Sequence, residues 1–211
     1  GLEDAKILRP GYAVEYDFFN PIQLYPSLQS KVIKNLFFAG QINGTSGYEE
    51  AASQGIVAGI NAARSLQNKS PIDINRSNSY TGVLIHDLVT KGTKEPYRMF
   101  SSLVEHRTYI RHDNADARLT PLSNKIGLAS CHRIRNLRSK LENITKIQTF
   151  LENFKIHDNH IALQNIHTSG FSGRRSLAEL LKRPEINCST LSASFRECHN
   201  FLNIFNPEII K

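Results

Sequence analysis

The sequence lacks tryptophan, has a single methionine and only three cysteines, and contains no long apolar run. Without about 20 consecutive apolar residues, a membrane-spanning helix is not predicted. The cysteines, Cys131, Cys188 and Cys198, are odd in number and form no C-x-x-C pair. That spacing disfavours a disulfide framework or a zinc site and favours a reducing compartment such as the cytoplasm or an organelle matrix. The only methionine is Met99, and no signal peptide is visible, so we expect a processed chain or a piece of a longer protein.

The 211 residues are 40% hydrophobic and 21% charged, which is typical of a globular protein and excludes the disordered and fibrous classes. Charge is uneven along the chain. Residues 1–68 hold five basic and six acidic side chains, net −1, whereas residues 69–211 hold 21 and 13, net +8, together with all eight histidines. A basic segment of this kind favours a phosphate-rich partner, although a chance surface excess is an equal alternative. Asn68–Pro71 is the predicted boundary between two domains, 1–68 and 69–211.

Residues 12–17 alternate between apolar and polar side chains and are rich in residue types that favour strands, so a strand is predicted there. The short apolar run 35–39 predicts a second, buried strand. A helix is predicted from Gly47 to Leu66. These elements indicate an α/β unit. In the basic part, 82–89 is a compact apolar element and 97–111 is predicted to be mainly helical. Residues 131–154 have helical periodicity, and Ser176 is predicted to cap a short helix, 177–182.

The segment between the second strand and the helix carries the chemistry. Gly40, Gly44 and Gly47 allow a ligand to approach the backbone closely, and Ser46 and Glu49 have the spacing of a capping box. The free N–H groups of the helix N-terminus would then face the carboxyl end of the strand, where cofactors bind in open α/β sheets. Glycines and alanines along this helix predict close packing on a sheet. Strand–glycine–helix turns are common in α/β proteins, however, so this pattern alone is not specific.

The residues in this region closely resemble one family. The resemblance rests on Gln41-Ile-Asn-Gly-Thr-Ser-Gly-Tyr-Glu-Glu-Ala-Ala-Ser-Gln-Gly55, with Leu8-Arg-Pro-Gly-Tyr-Ala-Val-Glu-Tyr-Asp17 before it. It continues in Gly92-Thr-Lys-Glu-Pro-Tyr-Arg-Met-Phe100 and Asp113-Asn-Ala-Asp-Ala-Arg-Leu119. These stretches are similar to the FAD-dependent tRNA uridine 5-carboxymethylaminomethyl modification enzymes, also called the glucose-inhibited division protein A family. The resemblance is strong over about 1–122 and looser to 184.

The resemblance implies the terminal strand–loop–helix part of a glutathione-reductase-like, FAD/NAD(P)-binding Rossmann domain, followed by a mostly helical, tRNA-associated region in which the family's C-terminal domain is truncated. The chain has no G-x-G-x-x-G, so the dinucleotide fingerprint lies outside it. By family position, the expected FAD contacts are Gln41, Asn43, Gly44, Thr45, Ser46, Gly47 and Tyr48. Their expected role is to hold and tune the flavin through the helix N-terminus. No nucleophile–base pair is recognised, and no catalytic residue or metal ligand is assigned.

The family's activity, as the resemblance implies it, adds an aminomethyl-type group to C5 of the wobble uridine of tRNA. It implies FAD, a nicotinamide reductant, a folate one-carbon donor, a GTPase partner and a homodimer that forms a heterotetramer with that GTPase. The fragment alone is expected to be inactive. The expected tRNA contacts are Lys94, Arg98, Arg107, Arg111 and Arg118, since arginine suits bidentate phosphate contact. Alternatively, several of these side chains form ion pairs with nearby carboxylates and hold the fold.

Two other functions stay open. The chain could be an RNA-binding or structural remnant without flavin chemistry. It could also resemble the folate- and FAD-dependent tRNA uridine-54 methyltransferases, which share the strand–glutamine–glycine–helix unit. The Glu49-Glu50-Ala-Ala run and the long basic extension favour the first family. A different glutathione-reductase-like oxidoreductase would leave residues 92–119 unexplained.

Overall fold

A computed structural model describes residues 3–11, 15–158 and 173–210. About half of these residues are helical. The chain divides into two compact units, Gly1–Arg118 and Leu119–Lys211. The sequence-based boundary at residue 68 differs from this division because the helix after it, Tyr80–Lys91, packs against the helix before it, Tyr48–Leu66. No helix in the described ranges is both long and apolar enough to span a membrane.

The first unit is built on two helices, α1 (Tyr48–Leu66) and α2 (Tyr80–Lys91). Single 3-10 turns lie at Pro21–Gln23, Gln41–Asn43 and Ser101–Leu103. Ser79 caps α2 by accepting a hydrogen bond from the Gly82 N–H at 2.9 Å. A Cβ at Gly82 would overlap the Asn75 carbonyl, so the close approach of these two backbones requires glycine there. The core of this unit contains Leu24, Leu28, Val57, Ala58, Ile85 and Val89.

The predicted strands are not present in the described part of this unit. Residues 12–14 lie outside the described ranges, and 15–17 have no regular structure. In the run 35–39, only Phe37 forms a bridge, an isolated antiparallel one to Gln29. A strand needs neighbouring strands for its backbone hydrogen bonds, and among the described residues this run meets one bridge partner. The described residues therefore form no sheet from these segments, and the α/β Rossmann fold stays a prediction.

The face of α1 that was expected to pack on a sheet is exposed. A Cβ at Gly55 or Gly59 would meet nothing within 4 Å. Neighbouring Ile56 is 65% exposed and Tyr48 is 92% exposed. The expected close packing is thus absent among the described residues, and the buried side of α1 is the opposite one, with Gln54, Val57 and Ala58.

The second unit is helical around a small antiparallel sheet. Its helices are α3 (Ala115–Lys125, which begins in the first unit), α4 (Cys131–Asn153), α5 (Leu177–Leu180), α6 (Cys188–Ser194), α7 (Arg196–Leu202) and α8 (Pro207–Ile210). Strands β1 (Lys155–His157) and β2 (Arg174–Ser176) pair with Ile156 opposite Arg175. The helices predicted at 131–154 and after Ser176 are confirmed, the latter with a complete capping box to Glu179. Phe150 stacks on Phe201 at 4.1 Å between ring centroids.

The cysteines of the second unit have no disulfide partner. Cys198 is fully buried in the core, and this burial raises the pKa of its thiol to about 11. Cys131 is exposed at the start of α4. His199 contacts Ser192 and Asn203. No cluster of three potential metal ligands occurs among the described residues.

Candidate functional site: the glycine loop and the basic segment

The glycine loop, residues 40–47, connects the 35–39 run to α1. Gly40 and Gly44 have φ angles of 89° and 82°, a backbone region that favours glycine, and they flank the 3-10 turn Gln41–Asn43. A Cβ at Gly44 would overlap the Thr93 methyl group and would lie 2.9 Å from the Phe18 ring. The loop therefore depends on glycine both for its turn and for its contact with two other segments.

Gln54 of α1 fixes the shape of this loop from inside the unit. Its side chain is fully buried. Its carbonyl oxygen accepts hydrogen bonds from the Gly40 N–H at 3.1 Å and the Asn43 amide at 2.8 Å. Its amide group donates to the Thr45 hydroxyl at 2.9 Å and to the Glu50 carbonyl at 3.2 Å. One side chain thus holds both ends of the loop to the first turns of the helix.

The predicted flavin contacts differ in their exposure. Asn43 and Thr45 are buried, and their side chains brace the loop: Asn43 also donates to the Phe38 carbonyl and Thr45 to the Gly40 carbonyl. Gly44 is also buried and Gly47 is half-buried, whereas Gln41, Ser46 and Tyr48 are exposed. The Oδ1 atom of Asn43 is buried without a hydrogen-bond partner among the described atoms. A buried acceptor of this kind is costly to leave unpaired.

The start of α1 differs from the sequence prediction. Gly47, not Ser46, is the N-cap, and no side chain caps the helix, so the predicted Ser46–Glu49 capping box is wrong. The carboxylate of Glu50 instead lies over Gly47, where a Cβ would overlap it, and accepts from the Met99 N–H at 3.0 Å. Glu49 and Glu50 already place negative charge at the positive end of the helix. The site therefore favours the edge of a neutral or weakly anionic ring over a phosphate group.

The segment 93–111 is mostly irregular, and the prediction that 97–111 is mainly helical is wrong. Its backbone groups bond to residues far away in the sequence. The Tyr97 N–H donates to the Gly44 carbonyl at 2.7 Å, beside a parallel bridge between Tyr97 and Thr45. The Met99 N–H donates a hydrogen bond to the Glu50 carboxylate. The only helical part described is the 3-10 turn Ser101–Leu103.

A charged network centred on Asp87 of α2 holds this segment, and sequence reasoning missed it. The side chain of Asp87 is 4% exposed. It accepts hydrogen bonds from Arg76 at 2.6 Å, from Lys91 at 2.8 Å and from the Tyr97 hydroxyl at 3.0 Å. Arg76 also binds Glu105 at 2.5 Å. The sequence signal that could have indicated this network was an aspartate, next to His86, in the otherwise apolar stretch 82–89.

The network shifts the ionisation of its members. Burial alone would raise the pKa of the Asp87 carboxyl, but the hydrogen bonds from Lys91, Arg76 and Tyr97 outweigh it and hold that pKa below its usual value. Burial, and then the hydrogen bond to the Asp87 carboxylate, raise the pKa of the Tyr97 phenol well above its usual value. Tyr97 therefore remains a hydrogen-bond donor at neutral pH. The hydrogen bond from Arg76 lowers the pKa of Glu105.

The structure places the predicted tRNA contacts in different environments. Lys94, Arg98 and Arg107 are exposed and have no ion pair or side-chain hydrogen bond within the described part of the chain. Arg111 is exposed but pairs with Asp113 at 3.0 Å.

Arg118 is half-buried and serves the fold. It donates to the Asn114 side chain at 2.8 Å and to the carbonyls of Arg111 and Asn78. Of the five predicted tRNA contacts, Lys94, Arg98 and Arg107 are therefore the ones available to a phosphate backbone.

Two protein-family models match the chain. Residues 1–70 match the model described as glucose inhibited division protein A, and residues 132–211 match the tRNA modifying enzyme MnmG/GidA C-terminal helical domain.

Proteins called tRNA uridine 5-carboxymethylaminomethyl modification enzyme MnmG are similar to it. The one from Chlorobium chlorochromatii is 46% identical over 213 residues, all of this chain and 34% of its own length. The one from Salinibacter ruber is 51% identical over 193 residues, 90% of this chain and 29% of its own length.

Among solved structures, Aquifex aeolicus GidA in its form II crystal matches with a TM-score of 0.80 and 39% identity. The match covers all of this chain and 33% of the GidA chain. The chain therefore spans about a third of the length of these relatives.

Proposed function

The chain belongs to the glucose-inhibited division protein A family, and we propose that it forms the flavin-facing loop and part of the tRNA-binding surface of an enzyme that modifies the wobble uridine of tRNA. The observation that carries the proposal is the architecture of the glycine loop. It is a rigid turn, braced from inside by Gln54 and set against a helix N-terminus, and it leaves Gln41 and Ser46 exposed.

The residues present fit one end of a flavin. The half-buried backbone at Gly47 and the free N–H groups of the first turn of α1 suit the polar edge of a ring. The two first-turn carboxylates disfavour the pyrophosphate there, which agrees with the absence of a dinucleotide fingerprint. Within this chain, Gln41 would hold the ring by its exposed amide, and the loop backbone would orient it. A bound flavin would supply the redox step, with a nicotinamide reductant and a folate donor as further proposals.

The basic segment would bind the substrate. Lys94, Arg98 and Arg107 lie on the segment that bonds to the glycine loop through Tyr97, so RNA bound to these cations would be held close to the loop. Their exposure and lack of described partners support contact with the RNA, and we assign Arg98 and Arg107 to its phosphates. The GTPase partner and the homodimer are part of the same proposal and rest on family membership.

The proposal is tested by purifying and assaying the full-length protein that carries this sequence. We expect the purified protein to show a flavin absorption spectrum, and to modify the wobble uridine of tRNA only when reductant, one-carbon donor and GTPase are supplied. A colourless, folded protein that binds tRNA would refute the flavin part and favour the RNA-binding alternative. Modification of uridine 54 instead would favour the methyltransferase alternative.

Replacing Arg98 and Arg107 by glutamine is expected to weaken tRNA binding for all sequences alike. Each lost phosphate contact should reduce the magnitude of the slope of log binding constant against log salt concentration by roughly one. The slope of the double variant should therefore be smaller in magnitude by about two. Filter binding at several salt concentrations, from low to moderate, measures both the tRNA affinity and its dependence on salt. The control Lys6→Gln with Lys34→Gln removes the same charge from two exposed lysines of the same unit. An equal loss in the control would show only a general effect of net charge.

A further inference from the structure

A small cavity lies against the glycine loop on the side of the basic segment. It has a volume of about 290 Å³, and its walls include Tyr16, Phe18, Gly44, Lys94 and Pro96. Small-molecule sites usually measure roughly 300–1,000 Å³, so this cavity suits a single ring system. Gly44 belongs both to the cavity wall and to the loop that we assign to the flavin. A ring in this cavity would therefore lie beside the cofactor.

The walls of the cavity are fixed in place. The absence of a side chain at Gly44 lets the Phe18 ring and the Thr93 methyl group close against the loop. The wall 93–96 is followed directly by Tyr97, whose N–H bonds to the Gly44 carbonyl and whose hydroxyl bonds to the buried Asp87. The cavity is thus a consequence of the same contacts that join the loop to the basic segment.

The lining groups combine aromatic faces with both signs of charge. Phe18 is 51% exposed, so one face of its ring is open to a ligand. Lys94, Glu15 and Glu95 also line the cavity. The ammonium of Lys94 and the carboxylates of both glutamates have no ion pair in the described ranges. Such a rim offers a cationic donor and anionic acceptors at the edge of a stacked ring.

We propose that this cavity receives the pyrimidine ring of the target uridine after it leaves the base stack. Enzymes that act on a base commonly flip it into a pocket, stack it on aromatic side chains and read its Watson–Crick edge. The proposal rests on the proposed function of the chain. Phe18 stacks on the ring, Lys94 donates to the uracil O4, and Glu15 or Glu95 accepts from N3–H.

The arrangement favours uracil over cytosine. Uracil presents an acceptor oxygen at C4, whereas cytosine presents an amino donor there, which would face the ammonium of Lys94. The exposed cations Arg98 and Arg107 lie farther along the same segment and are suited to the phosphates of the flanking nucleotides. These phosphate contacts favour a base held by a nucleic-acid strand over a free heterocycle such as the pterin of a folate.

The test compares two anticodon stem-loops, one with the wobble uridine and one abasic at that position, binding to the full-length protein. Stacking one base on an aromatic side chain should give the wild type about a 5- to 150-fold preference for the uridine form. Phe18→Leu keeps an apolar side chain but removes the aromatic face, and should bring the ratio towards one. Lys94→Met should lower the ratio and reduce the preference for uridine over cytidine. Lys34→Met, an exposed lysine of the same unit, should change neither.

The flavin absorption spectrum is recorded for each variant. A retained flavin with a collapsed uridine-to-abasic ratio supports the proposal. An unchanged ratio in Phe18→Leu, with flavin and tRNA binding intact, overturns it while leaving the proposed function in place. Loss of reduced-folate binding with an unchanged ratio also overturns it and assigns the cavity to the pterin. A wild type that binds neither flavin nor any stem-loop would overturn the proposed function itself.

Discussion

Replacing Asp87 by alanine is expected to lower the free energy of unfolding by about 3 kcal/mol, because removing one partner of a buried ion pair leaves the others uncompensated. Arg76 and Lys91 would each lose a carboxylate within 2.8 Å, and the Tyr97 hydroxyl would lose its acceptor. The value lies at the low end for such changes, since Arg76 keeps 21% exposure and some hydration. Urea unfolding monitored by circular dichroism measures this change in the free energy of unfolding.

Hydrogen exchange gives a local readout of the same change. Protection should fall most in α2 and at the amides of Tyr97 and Met99, which are bonded to the glycine loop and to Glu50. Asp113→Asn is the control, since it alters an exposed aspartate that pairs with Arg111. Surface pairs of this kind contribute little, so the control should leave protection in α2 unchanged. Equal losses in both variants would contradict the central role of Asp87.

The contribution of Asp87 also predicts a pH dependence. The folded state holds the pKa of its carboxyl below the value of the unfolded chain, about 3.9. The stabilisation is therefore fully present above that value and is lost as the pH falls through the lower, folded-state pKa. The difference in unfolding free energy between wild type and Asp87→Asn should stay constant from pH 7 to about pH 5 and shrink below about pH 4. A difference that grows on acidification would contradict this assignment.

Local patterns predicted three of the helices in the described ranges: α1, α4 and α5. α4 follows from apolar spacing, and the short helix after Ser176 follows from its capping residue, because these signals involve residues within one or two turns. α1 was also predicted, whereas 82–89 was identified only as an apolar element and not as the helix α2. The run 35–39 and the segment 97–111 were mispredicted for a common reason. Their hydrogen bonds depend on residues elsewhere in the chain: Leu28 and Ser30 in the first case, Gly44 and Glu50 in the second. A single sequence does not show which remote groups meet.

The candidate site shows the same limit at the level of side chains. The sequence located the loop, and the structure shows that Asn43 and Thr45 are internal braces while Gln41 and Ser46 are exposed. Gln54 was not singled out, because a glutamine within a helix is typical of a solvated face. Its partners lie up to 14 residues earlier in the chain. Arg118 likewise looked like a phosphate ligand but binds backbone carbonyls.

Gln54→Leu is expected to lower the free energy of unfolding by about 3 kcal/mol, since each buried group left without a partner costs about 1–3 kcal/mol and the four losses are coupled. The Gly40 N–H, the Asn43 amide, the Thr45 hydroxyl and the Glu50 carbonyl would each lose a hydrogen bond. Leucine fills a similar volume, so the loss reports the hydrogen bonds and not a cavity. Urea unfolding of the chain measures it.

The same substitution should remove flavin from the full-length protein, because the glycine loop loses the side chain that shapes it. Gln41→Leu is the matched control on the same loop: its side chain is exposed and makes no hydrogen bond within the described part of the chain. This variant should unfold like the wild type but bind flavin at least several-fold more weakly, since only the proposed contact is lost. Weaker flavin binding in both variants, with lower stability in Gln54→Leu alone, separates the brace from the contact. Unchanged flavin affinity in both would show that the loop does not face the cofactor.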